Sequence, residues 1–493
     1  CTERSGRPGS GLTLRKSMGR DTAWCTAACL PQNRRVPMPI RHYYADTAGS
    51  APALPTLHTA LDADVCVVGG GFAGLNTALG LAERGHRDVV LLDAEQPAFG
   101  ASGRNGGFVF GGFSRGEAAL LRDLGRERAR ALYAGTVEAV ELIRRRIAQY
   151  GIACDDTQAG ILWANWFDDR DLLRQRQALL ADVFAQDWHW VERDELRQQI
   201  LTPRYHDALF EPRAFHFHPL KYAHGLVQAA SRQGVSLFGD SPAVSLQRRE
   251  GGWRVTTLSG RVDAREVVLA CGGYLARLHR RVDAGVLPIA TYVMVTEPLG
   301  ARMDTALRTR AAIYDTRFAF DYYRPLPDSR LLWGGRISVL DRAPRSVERL
   351  LYGDMLKVFP QLEGVRIDHA WSGLMSYARH EMPQIGQVEP GLWVAQAFGG
   401  HGVAPTTFAG EVIASAIAQG DRRWREFAAY GLVSAMKPAG FLGAQVSYWW
   451  AEAKDAWKAR RSSCARGRCC GSSRFRKHAN PRGSCGSTSA LTA

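Results

Sequence analysis

The stretch from Asp64 to Asp93, DVCVVGGGFAGLNTALGLAERGHRDVVLLD, leaves a folding chain few options. Val65 to Val68 is a short β-branched run around a cysteine, the composition of a buried parallel strand. Gly69, Gly71 and Gly74 follow at G-x-G-x-x-G spacing. Leu75, Ala78, Leu79 and Ala82 then recur at helical spacing as far as Gly85, which reads as a stop. Val89 to Leu92 is a second buried strand, ending at Asp93. In such a unit Gly69 permits a tight turn, Gly71 lets backbone approach a pyrophosphate, and Gly74 brings helix against strand. The helix start offers N–H groups and a positive dipole end to phosphate, and Asp93 can accept hydrogen bonds from a ribose diol. A chain with 51 glycines produces isolated spacings of this kind by accident. Strand, glycines, helix, strand and acid in register are a far stronger signal. They predict a dinucleotide site without deciding between flavin and nicotinamide.

A net charge of +15 on 493 residues suggests nucleic acid until it is located. Residues 1–37 contribute +5 and residues 458–493 contribute +9, so the body between them is nearly neutral. Nonspecific RNA or DNA binding needs clustered basic charge, which the body lacks. Cysteine follows the same division: only Cys66, Cys154 and Cys271 lie inside, the first and last in apolar strands, a pattern of reduced thiols and not of a disulfide framework. No apolar run approaches the roughly 20 residues that span a bilayer, and the start of the chain has no apolar signal core. The expectation is a cytoplasmic protein, with association to the face of the inner membrane as the alternative. Residues 1–37 and 461–493 are expected to be disordered.

Between these ends the chain reads as alternating segments of two domains. Residues 38–60 form an Ala/Pro-rich arm. Residues 61–150 are the first part of the dinucleotide domain, containing the loop Phe99-Gly-Ala-Ser-Gly-Arg-Asn-Gly-Gly-Phe108 and helix over 116–150. Residues 151–205 open a substrate domain, with a strand at Gly160–Trp163 and helix over 171–197. Residues 206–287 return to the dinucleotide domain through Phe215-His-Phe-His-Pro219, a helix stopped at Gly234, a strand over 235–244, and the strand-to-turn sequence ending in Cys271-Gly-Gly-Tyr274. His216 and His218 alternate on one strand, and without a third ligand they read as polar lining residues and not as a metal site. Residues 288–370 supply an antiparallel sheet, and residues 371–435 close the dinucleotide domain with strand Leu392–Ala397, the turn Phe398-Gly-Gly-His-Gly402 and a helix from Pro405. Residues 436–460 form an amphipathic helix bearing Trp449, Trp450 and Trp457, which is expected to dock on its own domain.

With these segments in place, the chain resembles the D-amino-acid oxidase/dehydrogenase-like flavoprotein superfamily, in its gamma-glutamylputrescine oxidoreductase-like branch. The resemblance runs from about His42 to Arg460 and rests on VVGGGFAGL, GASGRNGG, LACGGYL, TYVMVTEPL, LLWGGR, WSGLMSYARHEMPQIG and GLWVAQAFGGHGV. It implies a mixed α/β (α+β) fold, with a Rossmann-like FAD-binding domain and a second, antiparallel-sheet substrate domain. It also implies FAD, with the isoalloxazine between the GASGRNGG loop and the FGGHG turn. The cofactor contacts so implied are Gly69, Gly71, Phe72, Ala73, Gly74, Asp93 and Ala94, then Gly100, Ala101, Ser102, Arg104, Asn105, Gly106 and Gly107. Ala243, Val244, Cys271, Gly272, Gly273, Gly373, Gly399, Gly400, Gly402 and Val403 complete them.

The sequence departs from the family at one informative place. Glycine-oxidase-like members read GLRP before P-x-I-G, and that arginine pairs with the substrate carboxylate; here Gly373-Leu374 is followed by Met375. The cysteine to which sarcosine-oxidase-like members attach flavin is absent too, which implies noncovalent FAD. Arg324 or Arg379 could replace the missing cation. The expected reaction oxidises the C–N bond of an amine or amino-acid-like substrate by hydride transfer to flavin N5, giving an imine that water hydrolyses, with electrons passing to O2, a quinone or another acceptor. His401, Tyr322 and Arg324 are the candidate catalytic residues, and Tyr292 and Met375 the candidate pocket residues. The competing readings are a D-amino-acid dehydrogenase or glycine/sarcosine-oxidase-like enzyme, a nicotinamide-dependent dehydrogenase, and an RNA-directed flavoprotein.

Overall fold

Ala60–Val68 is central to the first sheet because its second half is buried and apolar on both faces, Val65 and Val67 in a core with the helices and Cys66 and Val68 in one with Trp253 and Val255. The computed structural model describes residues 42–339 and 344–470, with side chains through residue 460. Ala60–Val68 runs parallel to Val89–Leu92 on one side and to Arg261–Leu269 on the other, and Ser236–Phe238 lies beyond Val89–Leu92. Arg261–Leu269 divides its outer edge: its first half pairs with the hairpin Ser245–Arg249/Gly252–Thr256, its last residues with Leu392–Gln396. Gln384–Glu389 closes that edge antiparallel.

Two almost wholly buried helices, Phe72–Glu83 and Val403–Gln419, lie side by side. A methyl on Gly410 would come within 2.7 Å of Asn76 Cβ, and one on Gly80 within 3.0 Å of Ala414 Cβ. The contacts advance together along both helices, so the two run parallel and start at the same end.

The second sheet has the order Ile367–Tyr377, Leu287–Thr296, Leu331–Ser338, Tyr322–Pro325, Ala312–Asp315, Ile161–Ala164, Ala208–Glu211, His189–Val191. All neighbours are antiparallel except Ala312–Asp315 and Ile161–Ala164. Strict alternation sorts its side chains. Leu162, Tyr292, Met294, Ile313, Tyr323, Leu331 and Trp333 enter one core with Val347, Leu351 and Met355 of helix Pro344–Val358. Ile161, Trp163, Leu209, Ala312, Tyr314 and Tyr322 face the other core, shared with the first sheet.

Several elements differ from the sequence reading. Ala208–Glu211 and the whole of Ile367–Tyr377 belong to the second sheet, so the segment boundaries set at 205 and 370 move to about 211 and 377. Helix 116–150 breaks at Gly125 (φ 77°), into Glu117–Leu124 and Arg126–Tyr150. The helix expected over 171–197 ends at Phe184, with Ala185 left-handed, and strand His189–Val191 and helix Arg193–Gln199 follow. The strand expected over 235–244 stops at Phe238, before Asp240 at φ 47°. His42 caps a short helix, Tyr43–Thr47, and is not part of an extended arm. The C-terminal helix, Ala439–Cys470, starts later and runs further than expected; the expectation for residues 1–37 and 471–493 lies outside the described residues.

Candidate active site

The glycines of the first βα turn divide by what a side chain would meet. A Cβ on Gly74 would lie 1.9 Å from the Gly69 carbonyl oxygen, and one on Gly69 (φ 111°) 2.6 Å from that of Ala270. Those two hold helix, turn and neighbouring strand together. Gly71 is different: its Cβ would meet only the Ser102 side chain, with Oγ at 3.1 Å. Gly272, Gly373 and Gly402 share this openness, the nearest atoms being Ser376 Oγ at 3.6 Å, Arg104 Cβ at 3.5 Å and Phe398 Cβ at 3.7 Å. Glycine that protein packing does not demand is what a backbone lying against a ligand requires.

Both parallel helices begin at glycine, Gly71 and Gly402, with neither a side-chain cap nor an acidic residue in the first turn. Two positive dipole ends therefore open at the same end of the sheet, where one molecule carrying a pyrophosphate and an electron-rich ring could use both. Asp93 stands beside the first. Its Oδ2 accepts from the Gly70 N–H at 2.5 Å and its Oδ1 from the Glu95 N–H at 2.9 Å. Burial pushes its carboxyl up to about 6 against the pull of those donors. The Cys271 thiol, raised to about 12 by burial, lies near it and donates to the Val68 carbonyl. Ser241 N–H donates to the Asp93 carbonyl, which brings the turn before Ala243 and Val244 to the same strand end.

The GASGRNGG loop folds around its own polar side chains. Asn105 donates to the Ala101 and Ser102 carbonyls and accepts from Gly107 N–H, while Ser102 Oγ accepts from Phe72 N–H at the helix start. Gly100 packs under the Tyr274 ring, and Gly106 under Tyr322, where a methyl would approach the ring to 2.5 Å. Arg104 lays its guanidinium 4.4 Å from the centre of the Phe99 ring.

Strand Ile367–Tyr377 spans both glycine-rich loops. Trp371, Gly373, Met375 and Tyr377 share one face by alternation. The Trp371 indole N–H donates to the Arg104 carbonyl, and Gly373 adjoins Arg104. Met375 Sδ would lie 3.6 Å from a methyl on Gly400, and the Tyr377 hydroxyl 2.9 Å. Ser376 Oγ accepts from Ala397 N–H and its carbonyl from Gly399 N–H, fixing the FGGHG turn with Ala397 left-handed at φ 66°. Val403 follows as the first residue of the helix.

His401 stands between the loops. Its Nε2 donates to the Gly111 carbonyl at 2.9 Å, its ring centre is 3.9 Å from that of Phe110, and burial lowers it to about 4. A neutral imidazole has one N–H, and here it is given to the loop. His401 thus stands in the site with that N–H engaged by the loop. Arg324 is corrected more sharply. It is buried, with Nε bonded to the Gly106 carbonyl at 2.7 Å and one terminal nitrogen to the Phe217 carbonyl at 2.8 Å and the Tyr44 hydroxyl at 3.3 Å. Its other terminal nitrogen donates to His216 Nδ1. It clamps three segments, which engages the nitrogens that the catalytic role expected of it would use. Tyr292 is corrected too: it is buried in the core beneath Pro344–Val358, on the far face of the sheet. Tyr322 does lie on the facing side, against Phe108. His216 and His218 do not share a strand face: His216 Nε2 donates to the Arg310 carbonyl, and His218 caps helix Pro219–Arg232. Among the described residues no cluster of His, Cys, Asp and Glu could hold a metal.

Sequence reasoning did not single out Tyr377, beside Gly400, or Phe110, against His401, nor Tyr314, Trp163 and Glu211 on the same side of the second sheet. Strand alternation could have found Tyr377, two residues beyond Met375. The others come from short strands and loops whose partners only the fold reveals.

A two-sheet protein with a βαβ nucleotide crevice, and a second sheet closing over paired helix starts, is a flavin-dinucleotide oxidoreductase in architecture. Residues 64–416 match the family model described as FAD dependent oxidoreductase, DAO, and the chain belongs to that family. It is FAD-dependent accordingly. The chain is 34% identical to the gamma-glutamylputrescine oxidoreductase of Escherichia coli strain K12 over 390 residues, covering 78% of this chain and 91% of that protein. It is 33% identical to a probable oxidoreductase, OrdL, of Haemophilus influenzae, covering 78% and 89%. In fold it is similar to glycine oxidase from Geobacillus kaustophilus, with TM-score 0.63 and 21% identity over 76% of this chain and 99% of that one. L-proline dehydrogenase from P. horikoshii gives TM-score 0.63 at 18% identity over 77% and 98%.

Proposed function

We propose that this oxidoreductase oxidises the C–N bond of an amine that carries no carboxylate on the reacting carbon, using noncovalently bound FAD. When bound, FAD supplies the hydride acceptor at flavin N5. Gly71 and the uncapped start of Phe72–Glu83 would hold the pyrophosphate, Asp93 the ribose diol, and Gly402 and Val403 the electron-rich edge of the ring. The inner face of Ile367–Tyr377 would lie against the ring, with Tyr322 and His401 shaping the space for substrate. The first sheet would serve as the nucleotide domain and the second as the substrate domain. Water then hydrolyses the product imine.

The observation that carries this reading is the uncharged Met375 beside Gly400, with Arg104 over the Phe99 ring and three further arginines among the described residues engaged elsewhere. Arg324 is committed to carbonyls, Arg379 is exposed and reaches toward Met436, and Arg176 pairs with Glu117. A buried substrate carboxylate without a cationic partner costs several kcal/mol, so it disfavours glycine, sarcosine and D-alanine. The Escherichia coli relative is named a gamma-glutamylputrescine oxidoreductase, which agrees with an amine-derived substrate here.

The test is anaerobic bleaching of the flavin. A diamine-derived amine should reduce wild type more than about tenfold faster than D-alanine does, and Met375→Arg should narrow that ratio by restoring a carboxylate partner. Fast reduction of wild type by D-alanine would return the enzyme to the amino-acid oxidases.

A further inference from the structure

Glu211 ends the short strand Ala208–Glu211 two residues after Leu209, which pairs with Trp163, so alternation places it on the side of the sheet that faces the cofactor. It is 6% exposed. The Gly111 N–H is directed at its carboxylate, and its Oε2 has no hydrogen-bond partner. A buried carboxylate oxygen left without a donor is costly, and such a group in a native fold marks a place that something else completes.

The surroundings define what is missing. Arg176 is bonded to Glu117 at 2.8 Å, which neutralises one carboxylate, and its guanidinium lies 4.2 Å from the centre of the Trp163 ring. Arg144, the next cation, gives its donors to Gln158, Glu141 and the Arg213 carbonyl. Tyr133 and Tyr314 close the sides, with the Tyr314 hydroxyl turned to Arg176. The enclosure thus holds two acidic side chains and one arginine committed to the first of them, so the second, Glu211, lacks a cation with which to ionise. It is joined to the redox site by a single residue: Gly111 takes the His401 N–H on its carbonyl and turns its own N–H to Glu211.

Resting on the amine-oxidation reading above, we infer that Glu211 Oε2 receives an ammonium at the far end of the substrate, with Trp163 and Tyr314 as aromatic walls. An ammonium offers three donors and a positive charge, and it is attracted by ring faces. The substrate class is then a diamine, or a longer amine with a second ammonium a few methylenes from the carbon that is oxidised. Binding is coupled to a proton. Burial, with Glu117 adding to it, pushes Glu211 up to about 8 against the pull of Arg176, the Gly111 N–H and Arg144. At pH 7 the carboxyl is mostly protonated, and an arriving ammonium displaces that proton.

The experiment titrates the FAD-loaded enzyme calorimetrically under anaerobic conditions at pH 7, with 1,4-diaminobutane and with 1-aminobutane, in two buffers of different ionisation heat. Oxidation of either ammonium to its imine releases one proton, so wild type should release close to one proton more per diamine than per monoamine. Glu211→Gln should abolish that difference and weaken diamine binding at least about thirtyfold, leaving the monoamine unchanged. Glu211→Asp, which keeps the charge on a shorter stem, should recover part of both effects and covers the case in which the glutamine variant loses flavin. Equal weakening of both amines, or an extra diamine proton that survives in the glutamine variant, would overturn the assignment. Should neither amine bleach the wild-type flavin while Glu211-dependent proton release persists, the amine-oxidation reading fails and the cation site stands.

Discussion

Asp93 holds two opposed influences in one carboxyl group. The Gly70 and Glu95 N–H groups favour its charge, while burial raises it to about 6, and burial prevails. Between about pH 4 and 6 the folded chain therefore binds a proton that the unfolded chain has lost. This group's contribution to apoprotein stability is greatest at low pH and declines as pH rises through 6. FAD binding has the opposite sign, because ribose hydroxyls donate best to the ionised carboxylate. FAD affinity of the apoprotein should fall by up to about tenfold per pH unit below pH 6 and be flat above pH 7. Asp93→Asn should weaken binding at pH 8 and remove the slope, as read by fluorescence titration. A slope that persists in the variant would place the titrating group elsewhere. At this scale the fingerprint was legible because each glycine and the acid has a local reason to be where it is. Tyr292 and Tyr322 were not separable by the same means. Both are sheet tyrosines, and the sheet is covered on both faces, so hydrophobicity carries no sign of which face meets the cofactor.

Among the elements, the C-terminal helix is secured to the second sheet largely by polar contacts. Gln445 accepts from Val339 N–H, the Tyr448 hydroxyl from Ile337 N–H, and Asp455 from Phe318 N–H. Arg336 joins three elements: it bonds both oxygens of Asp354 on helix Pro344–Val358, at 2.7 and 2.8 Å, and pairs with Glu452 on the C-terminal helix. Asp354 is buried, and Lys357 at 2.7 Å is its other cation. Arg336→Ala would leave that carboxylate half-compensated, and removing one partner of a buried pair costs about 3–5 kcal/mol. A thermal melt should show a drop of several degrees, with a smaller loss for Arg336→Lys. An unchanged midpoint would mean that Lys357 suffices. The helix itself was legible in its Trp and charge pattern, and it docks as expected. Trp449, Trp450 and Trp457 nonetheless stay more than half exposed, since the docking face is that of Gln445, Tyr448, Glu452 and Asp455. The break at Gly125 and the strand His189–Val191 were less accessible, because short elements take their identity from partners far away in sequence.

For the molecule as a whole, charge and architecture separate cleanly. Nearly all the net positive charge lies in residues 1–37 and 458–493, while both sheets and both cores are built from residues between 57 and 396 together with the helices that flank them. A chain trimmed to residues 38–460 should retain flavin and activity, judged by its absorbance spectrum and by substrate bleaching. Loss of flavin on trimming would show that a terminal segment takes part in the fold. The mixed two-domain class was legible because motif order fixes it. Two boundaries drawn from the sequence fall several residues before the ends of strands at Glu211 and Tyr377 that pair in the second sheet, because a strand there serves one sheet but adjoins loops of the other.

That alternation has a consequence for how the protein is made. The nucleotide sheet draws its strands from residues 60–92, 236–269 and 384–396, interleaved with those of its partner. On the ribosome the first βα unit emerges early, yet the strand Leu392–Gln396 and the second glycine-started helix come last of the parts that frame the crevice. Neither sheet can be finished before the other is well advanced, so the two halves mature together and late, and nascent chains shorter than about 420 residues should bind no FAD. Flavin capture then reports that both sheets are in place.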